Sequence, residues 1–256
     1  MMAVFPKIAA ISFLNSIPFV YGIRHASRFG ENLILSTPNE TERIFREAEA
    51  DIALVPSVVV PALKGAELIT DYCIGASGEV RTVVLVSNCE LSEIERIWAD
   101  SHSKTSVQLA GYLAQNCWKI SPEWLELSDY RIMQNPKAND AFLLIGDKVF
   151  EWEKSFKYKR DCAQDWHEAT HLPFAFAVWV GKKGLPYEIY DELEEALTFG
   201  MEHIYESVLE SPFEDKILAY NYLTTNIDFF FDSKKHESLK KFWSYGIKIR
   251  PKVEPG

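Results

Sequence analysis

The sequence predicts an α/β protein of two lobes, and three observations carry that prediction. Residues 7–56 read as strand, helix, strand, helix, strand, an order that builds a parallel sheet. A second set of apolar runs and helical repeats follows between residues 94 and 145. A late strand-like run, Phe174–Val180 (FAFAVWV), then precedes a long helical stretch. At 256 residues, 47% of them hydrophobic, the chain is near the size at which one core divides into two.

Lys7–Phe13 alternates little and is rich in β-compatible residues, so it is expected as a buried strand ending near Leu14–Asn15. Ile17–Arg24 is the following helix, and Leu33–Ser36 a second strand. Thr37-Pro38-Asn39-Glu40 opens a helix reaching about Ala50, with Ile44, Phe45 and Ala48 facing inward. Asp51–Pro56 (DIALVP) is another buried strand, stopped by Pro56. Val80–Ser87 is the longest β-branched run and leaves the first lobe. Ile94–Trp98 is a strand or the end of a short helix. Over Ser103–Trp118, Val107, Ala110, Leu113, Ala114 and Cys117 recur at helical spacing. Ala141–Ile145 is a strand ending in Gly146-Asp147. From Tyr187 to Phe242 the pattern is helical, with short breaks near Ser211-Pro212 and Thr224–Asp228. The expected division is 1–85 plus 175–256 for the first lobe, including the helical tail, and 86–174 for the second. A ligand is expected in the cleft between them.

A net charge of −10 with no basic stripe argues against a nucleic-acid partner. The acidity of Glu188–Glu195 (EIYDELEE) reads as a solvated helix face. A small anion remains an admissible ligand, provided its charge is met locally. The apolar start is interrupted by Pro6, Lys7, Asn15 and Pro18 and follows no basic segment, unlike a signal peptide. No run reaches the roughly 20 apolar residues of a membrane span. Cys73, Cys89, Cys117 and Cys162 lack CxxC spacing and read as reduced core thiols. The expectation is a soluble cytoplasmic protein with no membrane partner.

His167-Glu168-Ala169-Thr170-His171 matches the H-E-x-x-H zinc signature, which requires one continuous helix. Pro173 drives Leu172 out of helical geometry, so the helix would end at its own ligand, and no metal is expected. A nucleophile elbow, a G-x-G-x-x-G run and a P-loop are all missing, so no cofactor is expected either.

Four polar segments remain. Asn15-Ser16 is either a turn with an N-cap or the floor of a ligand site, with the Asn15 amide donating to a substrate oxygen. Ser103-Lys104-Thr105-Ser106 opens a helix, as ordinary capping or as a seat for a carboxylate or phosphate. Gly146-Asp147 is a plain turn or a place where backbone approaches a ligand. Arg81-Thr82 either faces outward on an edge or borders the site, where the Thr82 hydroxyl can donate and accept.

Taken together, ISFLN-S-IPF from Ile11, CIGASGEVRTVVLVS from Cys73, D-SHSKTSVQLA from Asp100, LLIGD from Leu143 and W-HEATHLPFAFAVW from Trp166 resemble one family. It is the chorismate dehydratases of the futalosine route to menaquinone, and the resemblance runs from residue 8 to about 180. It implies the fold of type 2 periplasmic binding proteins and a hydro-lyase that converts chorismate to 3-[(1-carboxyvinyl)oxy]benzoate. By resemblance Asn15 and Thr82 hold the reacting part of the substrate, Thr82 standing where many relatives have Ser. From the polar segments above, Ser16, Ser103, Thr105, Ser106, Gly146 and Asp147 are the expected binding residues, with the ring carboxylate at the Ser103–Ser106 helix terminus. No Asp, Glu or His in these motifs stands as a base, so the substrate's own enolpyruvyl carboxylate is expected to take the ring proton. Two alternatives stay open: the sister dihydroxynaphthoate synthase, whose Cys-Pro-Asn-Asp-Thr opening differs from Phe13-Leu14-Asn15-Ser16, and a non-catalytic binder of small anions.

Overall fold

The structure, a computed structural model, describes residues 6–100 and 103–253. Its elements in chain order are β1 (Ile8–Ile11), α1 (Ile17–Ala26), β2 (Leu33–Ser36), α2 (Pro38–Arg46), β3 (Ile52–Pro56), β4 (Ala66–Ala76), β5 (Val83–Ser87), β6 (Arg96–Ala99), α3 (Lys104–Leu113), β7 (Glu123–Glu126) and β8 (Asp140–Ile145). They continue with α4 (Lys148–Trp152), β9 (Tyr158–Asp161), α5 (Cys162–Thr170), β10 (Phe174–Lys182), α6 (Tyr187–Glu202), α7 (Ile204–Glu210), α8 (Lys216–Thr225), β11 (Asp228–Phe230) and α9 (Ser233–Ser244). Among the described residues, no helix is long and apolar enough to cross a membrane.

The first unit comprises Met1–Gly75 and Ala175–Ser233, and the second Ala76–Phe174 and Lys234–Gly256. This corrects the expected division at 85/86 and the expected placement of the whole tail on the first lobe. The reason for the tail is specific: Trp166 Nε1 donates to Ser238 Oγ at 3.0 Å, and the Trp166 ring packs edge-on against Phe242. Gln108 then exchanges two hydrogen bonds with the Ile249 backbone, at 2.7 and 2.8 Å.

In the first unit the sheet order is β11-β4-β10-β3-β1-β2. β1 runs parallel to β2 and β3, with Ile8 opposite both Leu33 and Ile52, whereas β10 is antiparallel to β3. The expected parallel sheet is therefore its β2-β1-β3 portion only. β1 and β3 are buried throughout, as aliphatic strands covered on both faces must be. Ile44 and Phe45 of α2 pack with Ala9, Ala53 and Val55. That helix stops at Arg46, short of the expected Ala50. Ala48 turns left-handed (φ 61°), Glu49 N–H donates to the Ile44 carbonyl and Ala48 N–H to that of Phe45. This is a Schellman ending, and it leaves Ala48 exposed rather than inward-facing. α1 and α6 approach until backbone meets backbone at Gly22 and Gly200. β4, the longest strand, is not foreseen from the sequence, because its opening residues include half-buried Glu67 and Thr70 and exposed Asp71.

The second sheet has the order β7-β6-β8-β5-β9. β6 is parallel to β7 and β8, while β5 is antiparallel to β8 and β9. Val84, Val86, Trp98, Phe142 and Leu144 form its core. β5 begins at Val83 and not at Val80, because Arg81 is held left-handed at φ 67°. The helix expected over Ser103–Trp118 is α-helical to Leu113 and then widens into a π turn, Ala114–Trp118.

Candidate functional site

Parallel strands bring their carboxyl ends to one edge of a sheet, the edge at which α/β folds meet ligands. In the first unit Ile11 lies opposite Ser36, and the Ser12 amide continues the ladder to the Ser36 carbonyl at 2.9 Å. Leu14–Ser16 then forms a 3₁₀ turn leading into α1. Ser16 occupies the N-cap position, but its hydroxyl makes no cap. It donates instead to Asn15 Oδ1 at 3.3 Å, and Pro18 removes one of the amides a cap would serve. The N-cap reading of Asn15-Ser16 is thus corrected at the side chain: buried Ser16 contacts Asn15. Ser57, which the sequence does not single out, lies just past β3, fully buried, with Oγ donating to the Ala175 carbonyl at 2.7 Å.

The second unit gathers more. Thr82 is buried at the start of β5, which lies antiparallel to β8 with Val83 opposite Ile145. Gly146 N–H donates to the Thr82 carbonyl at 2.8 Å, so these two predicted residues are in direct contact. Gly146 is left-handed at φ 73°, a conformation that costs glycine nothing. Asp147 starts α4 without capping it through its side chain. On the neighbouring strand β6, Asp100 ends the run, its amide bonded to the Leu143 carbonyl at 3.2 Å. Ser103 precedes α3, and its Oγ lies 3.1 Å from Ser106 Oγ. That mutual bond replaces the side-chain cap expected there. Thr105 and Ser106 are buried. Ser101 and His102 of the D-SHSKTSVQLA motif lie outside the described residues.

Asp161, at the end of β9, explains how Thr82 is held. One carboxylate oxygen accepts the amides of Val80, Ala163 and Gln164 at 3.2, 2.9 and 3.0 Å, and the other accepts Arg81 N–H at 2.6 Å. Two successive amides converging on one carboxylate account for the left-handed Arg81 immediately before Thr82. Burial pushes the Asp161 carboxyl up to about 6, against those four donors, which favour the anion. The Arg81 side chain lies 3.4 Å from Glu153 and over the Phe150 ring at 5.1 Å. Asp161 could have been suspected from Asp161-x-x-Gln164 at the head of a helix, but its hold on residues 80 and 81 has no local signal. Asp100 and Tyr130 were also missed; the Tyr130 phenol donates to Asp100 Oδ2.

In the H-E-x-x-H segment α5 ends at Thr170, and His171 turns left-handed (φ 59°), giving its amide to the His167 carbonyl. His167 Nδ1 lies 3.3 Å from the Leu172 carbonyl. The two histidines therefore do not share a continuing helical face. Among the described residues no three His, Cys, Asp or Glu side chains form a metal-binding group.

Comparison with solved structures defines the class first. A crystallised protein of Archaeoglobus fulgidus has a similar fold at 16% identity, with TM-score 0.74 over 95% of this chain and 97% of that one. A Candida albicans protein described as having the generic periplasmic binding protein fold matches at 12% identity, TM-score 0.62, over 99% of both chains. The periplasmic aliphatic sulphonate binding protein of Escherichia coli matches at 13% identity, TM-score 0.59, over 94% of this chain and 92% of that one. The chain thus has a periplasmic-binding-protein-like fold of two α/β units. Residues 6–248 match the menaquinone biosynthesis family, and the chain belongs to it. It is also similar to the chorismate dehydratase of Thermus thermophilus, 25% identical over 182 residues. That match spans 61% of this chain and 64% of the relative's length.

Proposed function

We propose that this protein is a chorismate dehydratase, a hydro-lyase acting within menaquinone biosynthesis. What carries the reading is that the family-like polar residues sit at strand ends and not along them. Asn15 follows the carboxyl end of β1, and Thr82 adjoins Gly146 at the carboxyl end of β8.

The reaction needs no redox step. The C–H bond at ring carbon 3 breaks, its electron pair becomes a ring double bond, and the carbon 4–oxygen bond breaks to release hydroxide. The abstracted proton and that hydroxide leave together as water. Aromatisation drives the change, so the protein's task is to orient the substrate and ease departure of the hydroxyl. Asn15 and Thr82 are the residues assigned to easing departure of the hydroxyl, each on the geometry of its own unit. The substrate's enolpyruvyl carboxylate takes the ring proton, and the ring carboxylate rests near Ser103, Thr105 and Ser106. Ser16 fixes Asn15, and Gly146-Asp147 supports Thr82 from the next strand.

Incubation with chorismate tests this directly. The expected result is loss of the cyclohexadiene absorbance and growth of a benzenoid band. A raised melting temperature with an unchanged spectrum would instead mark a binding protein, the role named for the sulphonate-binding neighbour. No response to chorismate, with turnover of a cyclised futalosine derivative, would mark the sister synthase.

A further inference from the structure

The second sheet carries a charged cluster to which the bond-breaking steps above assign no part. Asp100, 2% exposed at the end of β6, accepts the phenol of Tyr130. Lys148, the first residue of α4 and two beyond Gly146, holds its ammonium 3.9 Å from the centre of the Tyr130 ring. The same ammonium lies 3.9 Å from Asp100 Oδ2, too far for a hydrogen bond, and 42% of the side chain is exposed. Aromatic face and distant carboxylate together hold the cation in place without using up its three N–H donors. Burial, with the Asp100 hydrogen bond, raises the Tyr130 phenol, so that ring stays neutral beneath the cation. Arg81, the neighbouring cation, is engaged with Glu153 and Phe150.

We propose that Lys148, steadied by Tyr130 and Asp100, is the anchor for a benzoate-type carboxylate, and that it supplies the positive charge for the ring carboxylate of the substrate, for which Ser103, Thr105 and Ser106 supply only neutral groups. The identity of that substrate rests on the function proposed above. Of the two carboxylates on chorismate, the one that takes a proton cannot pair with a cation, because pairing lowers its basicity. The cation therefore belongs with the other. An anchor that grips ground state and transition state alike changes KM and leaves kcat alone.

The probe is 3-hydroxybenzoate, which keeps the ring carboxylate and lacks the enolpyruvyl group. Calorimetric titration of the folded full chain should show binding that weakens about tenfold or more in Lys148→Gln and is retained in Lys148→Arg, as loss of a charged hydrogen bond requires. The KM for chorismate should rise in parallel in Lys148→Gln, with kcat within about twofold of wild type. A Lys148→Gln variant that folds and binds the probe like wild type overturns the anchor. So does wild-type binding that is absent or insensitive to salt between low and high ionic strength, a measurement that needs no variant. If wild type binds the probe but leaves chorismate unchanged, the function proposed above fails and the anchor stands. If chorismate is converted and the variant's KM does not move, the anchor fails and the function stands.

Discussion

The carboxyl edges of the two sheets are built on different plans. At the first, Asn15 is placed by a three-residue turn next to its own strand, and its side-chain contact is its neighbour Ser16. At the second, Thr82 is placed from a distance. Its carbonyl is held by Gly146 and the loop before it by Asp161, which is 81 residues away from Val80. The polar groups identified at the first edge are neutral, whereas the second also carries Asp100, Lys148 and Asp161. Local placement makes a residue easy to read and hard to disturb from elsewhere. Remote placement makes it vulnerable to changes that never touch it.

The largest effect should come from removing the two groups themselves. Asn15→Ala and Thr82→Val are each expected to lower turnover of chorismate by about 10²–10⁴-fold. Melting temperatures should stay within a few degrees of wild type, because neither change opens a large cavity. Thr82→Ser keeps the hydroxyl and should retain most activity, which separates chemistry from packing. Near-normal turnover in both Asn15→Ala and Thr82→Val would remove the roles assigned to them.

A second contrast concerns how tightly each unit is packed around a helical glycine. A Cβ on Gly22 of α1 would lie 1.9 Å from the Ala196 carbonyl oxygen of α6, and one on Gly200 would lie 2.0 Å from that of Pro18. Backbone cannot step aside, so Gly22→Ala must force α1 and α6 away from each other and should cost about 4 kcal/mol or more. In the second unit, a Cβ on Gly111 of α3 would meet Ile249 Cγ1 at 2.3 Å, a side chain that can change rotamer. Alanine also favours a helix over glycine, so Gly111→Ala should cost about 1 kcal/mol. Urea unfolding of the two variants would check the ranking, and equal losses would contradict it.

The same difference between local and remote decides what could be read from the sequence. Strand ends at Leu14–Ser16 and Gly146-Asp147 were legible, because an apolar run stopped by a polar or turn residue is a local pattern. The approximate extents of α1, β2, β3, β8 and β10 were legible for the same reason. β4 was not, since its more exposed half alternates too weakly to stand out. β7 (EWLE) and β9 (YKRD) are strands by pairing and not by composition. The assignment of α9 and the residues after it to the second unit depends on Trp166 and Gln108, which lie 72 and 141 residues from the tail groups they bond. Arg81-Thr82 looked like one unit of uncertain facing. The structure divides it, sending the guanidinium to Glu153 and burying the hydroxyl. Only the carboxylate of Asp161, 80 residues beyond Arg81, explains the split.

Asp161 therefore gives the subtlest way to test remote placement. In the folded chain burial holds its carboxyl up at about 6, against an ordinary 3.8. The fold binds that proton more tightly than the unfolded chain does. The resulting stability is complete below about pH 4 and is lost as pH rises through 6. Asp161→Asn keeps one acceptor oxygen but has no proton to lose. Between pH 4 and pH 7 wild type should therefore lose roughly 2 kcal/mol relative to the variant, whatever the other carboxylates do in both. Urea titrations of the pair at the two pH values measure that difference. Turnover should fall only several-fold in Asp161→Asn, through looser positioning of Thr82, and far less than in Thr82→Val. A stability gap that stays constant with pH would mean that the four amides, and not burial, set the charge of this carboxylate, and that the loop before Thr82 is fastened to an ordinary anion.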